Sequence, residues 1–303
     1  GQNLQTILMH SDMAMRFTKQ QGRNTYHLYD ANIQYTSHNH VSLDLLNDLY
    51  TALEQQQFQL YYQAKFRLNH EQPSVCGIET LLRWQHPTHG TLLPKDFIAT
   101  TEQTGLIIPI SYWLIEQVCQ QIQQWRDSEL TSLLPISVNI SNLVFEQDDF
   151  VHKVKQLVQR YHIQTGELIF EITESVAIKN LGRNAEICKQ LHDLGILISM
   201  DDFGVGYSNF LYLQDLMIDE LKIDRIFLHN ILHKQQSPAI LQHMIQLAEQ
   251  LGLQCTVEGV ETAEQLAMLK QMNCPNVQGF YLAPPMPLEQ LMELLQVKSS
   301  QVS

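Results

Sequence analysis

The feature that most constrains this chain is an alternation. From Phe58 onward, short apolar runs with strand character recur between longer segments whose apolar residues repeat every three to four positions. The strand candidates are Phe58–Leu68, Val75–Trp84, Ile136–Ile140, Leu168–Thr173, Ile196–Met200, Glu220–Ile223, Cys255–Val257 and Val277–Leu282. Segments such as Pro109–Trp125, Asn180–Leu194 and Pro238–Leu251 read as amphipathic helices between them. Strand and helix in alternation imply a parallel sheet with helical crossovers. Eight strands within about 240 residues suit a closed (β/α)8 barrel better than an open sheet. One connection departs from the pattern. Asn69–Ser74 is too short for a crossover, since parallel neighbours need a dozen residues or more between them. The first two strands must then pair as a hairpin, and the fold class expected is α/β, a (β/α)8 TIM-like barrel with an antiparallel first strand.

A chain of 303 residues is long enough for one such barrel or for two ordinary domains. No apolar run approaches the roughly 18–20 residues of a membrane-spanning helix, and no basic-then-apolar leader opens the sequence. A soluble segment without membrane contact is expected. With 19 Lys+Arg against 32 Asp+Glu, the net charge of −13 argues against wrapping a nucleic-acid polymer. A small phosphate-bearing substrate stays open if metal ions bring the positive charge. Cys76, Cys119, Cys188, Cys255 and Cys274 are scattered, odd in number and without CxxC spacing. They read as reduced thiols of a cytoplasmic protein, each a small core hydrophobe. No histidine lies in a metal-ligand spacing; His38/His40 and His86/His89 read as surface or structural.

The chemistry gathers where parallel strands end, since that is where barrels carry functional residues. Strand two carries Glu79, strand three Asn139, strand four Glu171 and then Glu174, and strand five Asp201 and Asp202. Strand six holds Lys222, strand seven leads to Glu258 and strand eight holds Gln278. A lone acid at a strand end ordinarily starts a loop, caps a helix or pairs with a cation. Six strand ends in succession are hard to explain that way. Glu79, Asn139, Glu171, Asp201, Asp202 and Glu258 form an all-oxygen donor set, which selects Mg²⁺ or Mn²⁺ over Zn²⁺ or Cu²⁺. Two such ions would nearly neutralise the acids and suit a phosphoryl displacement. Arg83, on the strand face of Glu79, could contact a phosphate bidentately or make a surface ion pair. The segment Phe203-Gly204-Val205-Gly206-Tyr207 is a glycine-rich loop able to approach a ligand or simply to turn tightly.

From about Leu53 to Leu295 the chain resembles the EAL-domain cyclic-di-GMP phosphodiesterases of bacteria. The carriers are Leu60-Tyr61-Tyr62-Gln63, Glu79-Thr80-Leu81-Leu82-Arg83-Trp84, Val138-Asn139-Ile140-Ser141 and Glu171-Ile172-Thr173-Glu174-Ser175. Asp201-Asp202-Phe203-Gly204, Leu221-Lys222-Ile223-Asp224-Arg225, Glu258-Gly259-Val260-Glu261-Thr262 and Gln278-Gly279 complete them. The resemblance implies a barrel with its first strand reversed and metal-dependent hydrolysis of cyclic-di-GMP to linear pGpG. It makes Glu79, Asn139, Glu171, Asp201, Asp202 and Glu258 the ligands of Mg²⁺ or Mn²⁺, two ions being expected. It makes Lys222 the cation that positions the attacking water and Gln278 its neighbour, with Glu258 at the same catalytic centre. It makes Gln63, Leu81 and Arg83 substrate contacts. It gives Glu174, with Gly204, the steadying of the loop after Asp202, a loop tied to dimerisation, so a homodimer is expected. Some relatives of this type bind cyclic-di-GMP as receptors without cutting it, which is the alternative reading.

Residues 5–30 resemble the tail of a GGDEF domain, through Ser11-Asp12-Met13-Ala14-Met15, Lys19 and Gly22-Arg23-Asn24. The expected organisation is a GGDEF-like remnant over 1–30, a linker and helix over 31–52, the phosphodiesterase domain over 53–297 and a tail over 298–303. Three departures from the family pattern stand out. Thr80 replaces the signature alanine but points away from the face of Glu79. Ala64 follows Gln63 in place of proline. Val205 and Asn209 stand where the loop usually carries hydroxyl residues, removing hydrogen bonds that would order it.

Overall fold

A computed structural model describes residues 43–68, 72–128, 134–205, 210–229 and 237–299. The readings made for residues 1–30, for His38/His40 and for Asn209 lie outside the described residues. From Asp44 onward the described residues belong to one compact unit. It opens on helix α1 (Leu43–Ala52), followed by β1 (Phe58–Arg67) and β2 (Ser74–His86). These two strands pair antiparallel from Phe58↔Trp84 to Arg67↔Ser74, as the short connection requires, with one irregularity between Lys65 and Phe66. A short β3 (Gly90–Leu92) folds back on the end of β2.

The rest of the ring is parallel: β4 (Ile136–Asn139), β5 (Leu168–Thr173), β6 (Leu197–Phe203), β7 (Glu220–Ile223), β8 (Gln254–Val257) and β9 (Asn276–Val277). β2 pairs parallel with β4, and β9 closes antiparallel on β1. The result is a closed barrel of eight strands with β1 reversed, plus β3 outside the ring. Helices α2 (Pro94–Thr104), α3 (Ile107–Asp127), α4 (Asn142–Phe145), α5 (Phe150–Arg160), α6 (Glu174–Lys179) and α7 (Leu181–Asp193) lie along the first half. The second half adds a 3₁₀ turn (Phe210–Gln214), α8 (Arg225–His229), α9 (Ser237–Gln250), α10 (Ala263–Gln271) and α11 (Leu288–Ser299). Among the described residues, no helix is long and apolar enough to cross a membrane.

Each parallel strand alternates, as its pleat demands. One set of side chains (Ile136, Val138, Phe170, Ile172, Ile198, Met200, Leu221, Ile223, Val257) is completely buried in the main apolar cluster, together with helix residues such as Ile115, Val118 and Phe150. Phe170 and Phe150 rings lie 5.9 Å apart. A smaller cluster holds α1 to the barrel: Leu49 and Ala52 pack with Phe58, Leu82, Trp84, Phe97 and Ile110. His86, buried beside it, places Nε2 3.0 Å from the Asp48 carboxylate, while Nδ1 accepts from the Thr88 and His89 N–H groups. It serves a structural role. All five cysteines are free thiols; Cys119, Cys188, Cys255 and Cys274 are core residues, and Cys76 is only half-buried.

Two strand ends differ from expectation by more than two residues. The last strand ends at Val277 rather than Leu282, because the backbone beyond it turns to bond the loop after β8. Val260 N–H donates to the Gln278 carbonyl at 3.1 Å, and Tyr281 N–H to the Val260 carbonyl at 3.0 Å. Gly279 permits this approach, since a Cβ there would lie 2.2 Å from the Val260 backbone. β6, in contrast, extends beyond Met200 through Asp201 and Asp202. α2 carries no clear apolar period and depends on its ends. Pro94 starts it, Asp96 accepts the Leu93 N–H at 2.9 Å, and Gly105 closes it in a left-handed conformation, φ 79°.

Truncating Phe170 to Ala removes a fully buried ring from the sheet–helix layer. A loss of about 3–5 kcal/mol is expected, read as a lower urea midpoint at unchanged slope; a loss under about 1 kcal/mol would contradict the packing described.

Candidate active site

The inner face of the barrel reverses the usual composition. Where (β/α)8 barrels fill this space with branched apolar side chains, the inward positions here carry Gln63, Lys65, Glu79, Ser137, Asn139, Glu171, Ser199, Glu220, Lys222, Thr256 and Gln278. All but Asn139 are buried. Glu79 and Glu171, with Asp201 and Glu258, converge on one ammonium. Lys222 Nζ lies 2.6 Å from Glu171 Oε2, 2.7 Å from Glu258 Oε1, 3.3 Å from Glu79 Oε2 and 3.5 Å from Asp201 Oδ1. Lys222 is 1% exposed. Its neighbours in β7 explain its direction: Leu221 and Ile223 face the helices, so Glu220 and Lys222 must face inward.

Two amides complete the group. Asn139 Nδ2 donates to Glu79 Oε1 at 2.8 Å, and Gln278 Nε2 to Glu79 Oε2 at 2.7 Å. Gln278 Nε2 also donates to Gln63 Oε1 at 3.0 Å, while Gln63 Nε2 donates to the Ala283 carbonyl at 3.0 Å. Eight residues singled out from sequence therefore meet here: Gln63, Glu79, Asn139, Glu171, Asp201, Lys222, Glu258 and Gln278. Both amide atoms of Gln63 are engaged within the protein.

Other expected residues stand apart. Asp202 is exposed, adopts a left-handed backbone (φ 55°) and faces the Asp224 carboxyl rather than Lys222. The β6–β7 register breaks between Met200 and Phe203, where Asp202 leaves the strand alternation that Asp201 keeps with Ser199. Arg83 donates through Nη1 to the Leu82 carbonyl at 2.9 Å and lies over the Tyr61 ring, 5.2 Å from its centroid. Leu81 is half-buried on the same strand. Thr80 donates to the Ser137 carbonyl at 2.6 Å, away from the acids. Glu174 accepts from the Gly204 N–H at 3.2 Å and from the Tyr212 hydroxyl at 2.9 Å, linking the start of the loop after β6 to the 3₁₀ turn beyond it. Gly204 has φ 92°, a backbone conformation that strains any residue carrying a side chain. Val205 is 56% exposed.

The reading of strand ends missed a second layer. Lys65 contacts Glu171 Oε1 at 2.8 Å and Glu220 Oε2 at 3.2 Å, and Thr256 Oγ1 donates to Glu220 Oε1 at 2.6 Å. The available signal was period-two spacing, since Lys65 follows Gln63 by two residues and Glu220 precedes Lys222 by two.

Burial and mutual repulsion divide these acids. Burial alone would raise Glu171, but the Lys222 and Lys65 ammoniums outweigh it and bring its pKa down to about 2. Burial dominates at Glu258; Lys222 opposes it, Asp201 and Glu79 reinforce it, and the pKa is pushed up to about 8. Burial, followed by neighbouring acids, also raises Glu79. Asp201 is raised by burial, with Lys222 opposing. The carboxylates hold Lys222 well above its ordinary range in spite of its burial. Two cations thus serve five inward carboxylates.

Among the described residues, no three His, Cys, Asp or Glu side chains are disposed as a ready-made metal cage; the acid oxygens meet on Lys222 instead. Their chemistry nevertheless fits a hard divalent ion. All donors are oxygen, negative charge is in excess, and the buried Gln278 Oε1 has no hydrogen-bond partner.

The family model described as the EAL domain matches residues 46–285. The chain belongs to the EAL-domain family. The chain is 39% identical over 292 residues to the bifunctional diguanylate cyclase/cyclic di-GMP phosphodiesterase MucR of Pseudomonas aeruginosa, across 96% of its length and 42% of that relative. It is 34% identical over 288 residues to the cyclic di-GMP phosphodiesterase PdeR of Escherichia coli, across 95% of the chain and 42% of that relative. The chain therefore spans less than half the length of these curated relatives. Among solved structures, the PaMucR phosphodiesterase in complex with c-di-GMP superposes with a TM-score of 0.78 at 40% identity, covering 82% of this chain and all of that one.

The opposed shifts predict how the metal-free domain responds to pH. Glu258, raised in the fold, contributes stability that is complete below the ordinary carboxylate range and lost as pH rises through about 8. Glu171, lowered in the fold, keeps its contribution above the ordinary range and loses it only as pH falls towards about 2. Thermal unfolding in a chelator is expected to show Tm falling from pH 5 to pH 8, with Glu258→Gln flattening the decline. A Tm that rises over this interval would contradict the assignment.

Proposed function

We propose that this EAL domain hydrolyses one phosphodiester bond of cyclic-di-GMP to give linear pGpG. The observation that carries the reading is the inward gathering of Glu79, Glu171, Asp201 and Glu258 on Lys222, more negative charge than the barrel's own cations balance. The likeness to a phosphodiesterase solved with c-di-GMP supports the substrate. Glu79, Asn139, Glu171, Asp201, Asp202 and Glu258 would hold Mg²⁺ or Mn²⁺, two ions in this reading. When bound, such ions supply Lewis-acid activation of water and neutralise phosphoryl oxygens.

The chain's own residues supply position and proton control. Lys222, anchored by four carboxylates, is a fixed positive charge that orients the attacking water. The Gln278 amide, bridging Glu79 and Gln63, fixes the adjacent wall. Glu258, at the rim with Oε1 2.7 Å from Lys222 Nζ, belongs to the same catalytic centre and would hold the ions in its deprotonated form. Leu81 and Arg83 lie further along β2, where a base and a phosphate would be contacted. Water adds to phosphorus, the bond to the 3′ oxygen breaks, and that oxygen takes up a proton.

Residues 1–30 are read as the end of a GGDEF-type domain, a reading supported by the 292-residue match to a bifunctional relative. Homodimerisation through the loop beyond Asp202, steadied by Glu174 and Gly204, belongs to the same proposal, as does a cytoplasmic location.

Incubation with cyclic-di-GMP and Mn²⁺ is expected to yield pGpG, with Glu79→Ala slowing turnover at least about a hundredfold. Cyclic-di-GMP binding without any product would convert the reading to a receptor. Cleavage by Glu79→Ala at the wild-type rate would remove the site assignment.

A further inference from the structure

The polar interior continues below the rim. Glu171 is held by two opposed cations, Lys222 on Oε2 at 2.6 Å and Lys65 on Oε1 at 2.8 Å. Lys65 is 3% exposed and comes from β1, which does not neighbour β5, so the contact crosses the barrel interior. Its second partner, Glu220, is more distant at 3.2 Å and has its own donor in Thr256. Glu220 thus keeps a donor without Lys65, whereas Glu171 has no replacement for Lys65 on Oε1 among the described residues.

A carboxylate anchored at one oxygen can swing about its terminal torsion; anchored at both, it cannot. Lys65 also sits two residues from Gln63 on the same face of β1, and Gln63 is linked through Gln278 to Glu79. The reversed strand therefore steadies two acids of the site at once, one through an amide chain and one through an ammonium. An ammonium in the floor of a barrel is expensive to bury, and an apolar side chain would fill the space as other barrels do.

We propose that Lys65 is a positioning residue for the hydrolysis, fixing the Glu171 carboxylate so that Oε2 is presented at the rim for Lys222 and divalent cation binding. This rests on the reading given under Proposed function. A purely structural Lys65–Glu220 pair is the competing account, and the two predict different behaviour when both members of that pair are removed.

The test is a direct Mn²⁺ titration of the metal-free domain, by calorimetry and by the electron paramagnetic resonance of free Mn²⁺, alongside Tm and steady-state kinetics. Lys65→Met is expected to weaken Mn²⁺ binding about 10- to 100-fold. Added Mn²⁺ should then restore most of kcat while KM for cyclic-di-GMP stays unchanged. Glu220→Gln, which leaves Lys65 on Glu171, is expected to keep the wild-type Mn²⁺ affinity. The double variant Lys65→Met/Glu220→Gln removes the unpaired floor charge, so its Tm is expected to recover towards wild type while its Mn²⁺ affinity stays low. A double variant that binds Mn²⁺ as wild type does overturns the role of Lys65 and leaves the parent reading intact. A wild-type domain that takes up no Mn²⁺ overturns both. Wild-type binding without cleavage, with the variants ordered as above, supports Lys65 and overturns only the hydrolysis.

Discussion

The interior of this barrel is organised by one buried ammonium. Lys222, almost without solvent exposure, is surrounded by Glu171, Glu258, Glu79 and Asp201. A lone charge could not stay ionised there, because leaving water costs an ion several kcal/mol. The surrounding carboxylates return that energy to the ammonium but are not fully compensated themselves. Glu171 is driven far down in pKa and Glu258 far up, so neighbouring acids of one ring occupy opposite protonation regimes near neutral pH. That inequality separates a permanent anion from a group ready to exchange a proton.

The strand topology makes this arrangement possible. Short parallel strands deliver one or two inward residues each, and their register aligns Glu79 with Ser137, Asn139 with Glu171, and Glu171 with Ser199. Reversing β1 changes what the ring can contribute. Because β1 runs against its neighbours, its inward residues Gln63 and Lys65 step downward from the rim, reaching Gln278 near the top and Glu171 and Glu220 beneath. Apolar packing is displaced to the outer faces, where Phe170, Ile198, Leu221 and Val257 bear against the helices. Stability and chemistry are thus carried by opposite faces of the same strands.

Much of this was legible from the chain. Strands β4, β5 and β7 follow apolar alternation of four to six residues, and the brevity of Asn69–Ser74 by itself requires the hairpin. The acids at the strand ends were visible because each interrupts or terminates an apolar run. Other features were not. The last strand looked longer because Phe280, Tyr281 and Leu282 continue an apolar run, yet their backbone is claimed by the loop at Val260, a long-range contact that local sequence cannot announce. α2 rests on caps rather than period. Lys65 and Glu220 were passed over because a charge inside a strand reads as solvent-facing until the opposite face is known to be polar too. Nor does local sequence announce the bulge and left-handed turn that set the Asp202 carboxyl beside Asp224.

The central claim is that the acids around Lys222 leave negative charge to be balanced by divalent cations. It is met most directly by titrating Mn²⁺ into the metal-free domain near pH 7.5 in buffers of different ionisation enthalpy, which separates binding from proton movement. Saturable uptake accompanied by proton release is the expected result, Glu258 giving up the proton that its raised pKa retains. Absence of uptake would contradict it, whereas uptake with no proton released would contradict only the raised pKa of Glu258.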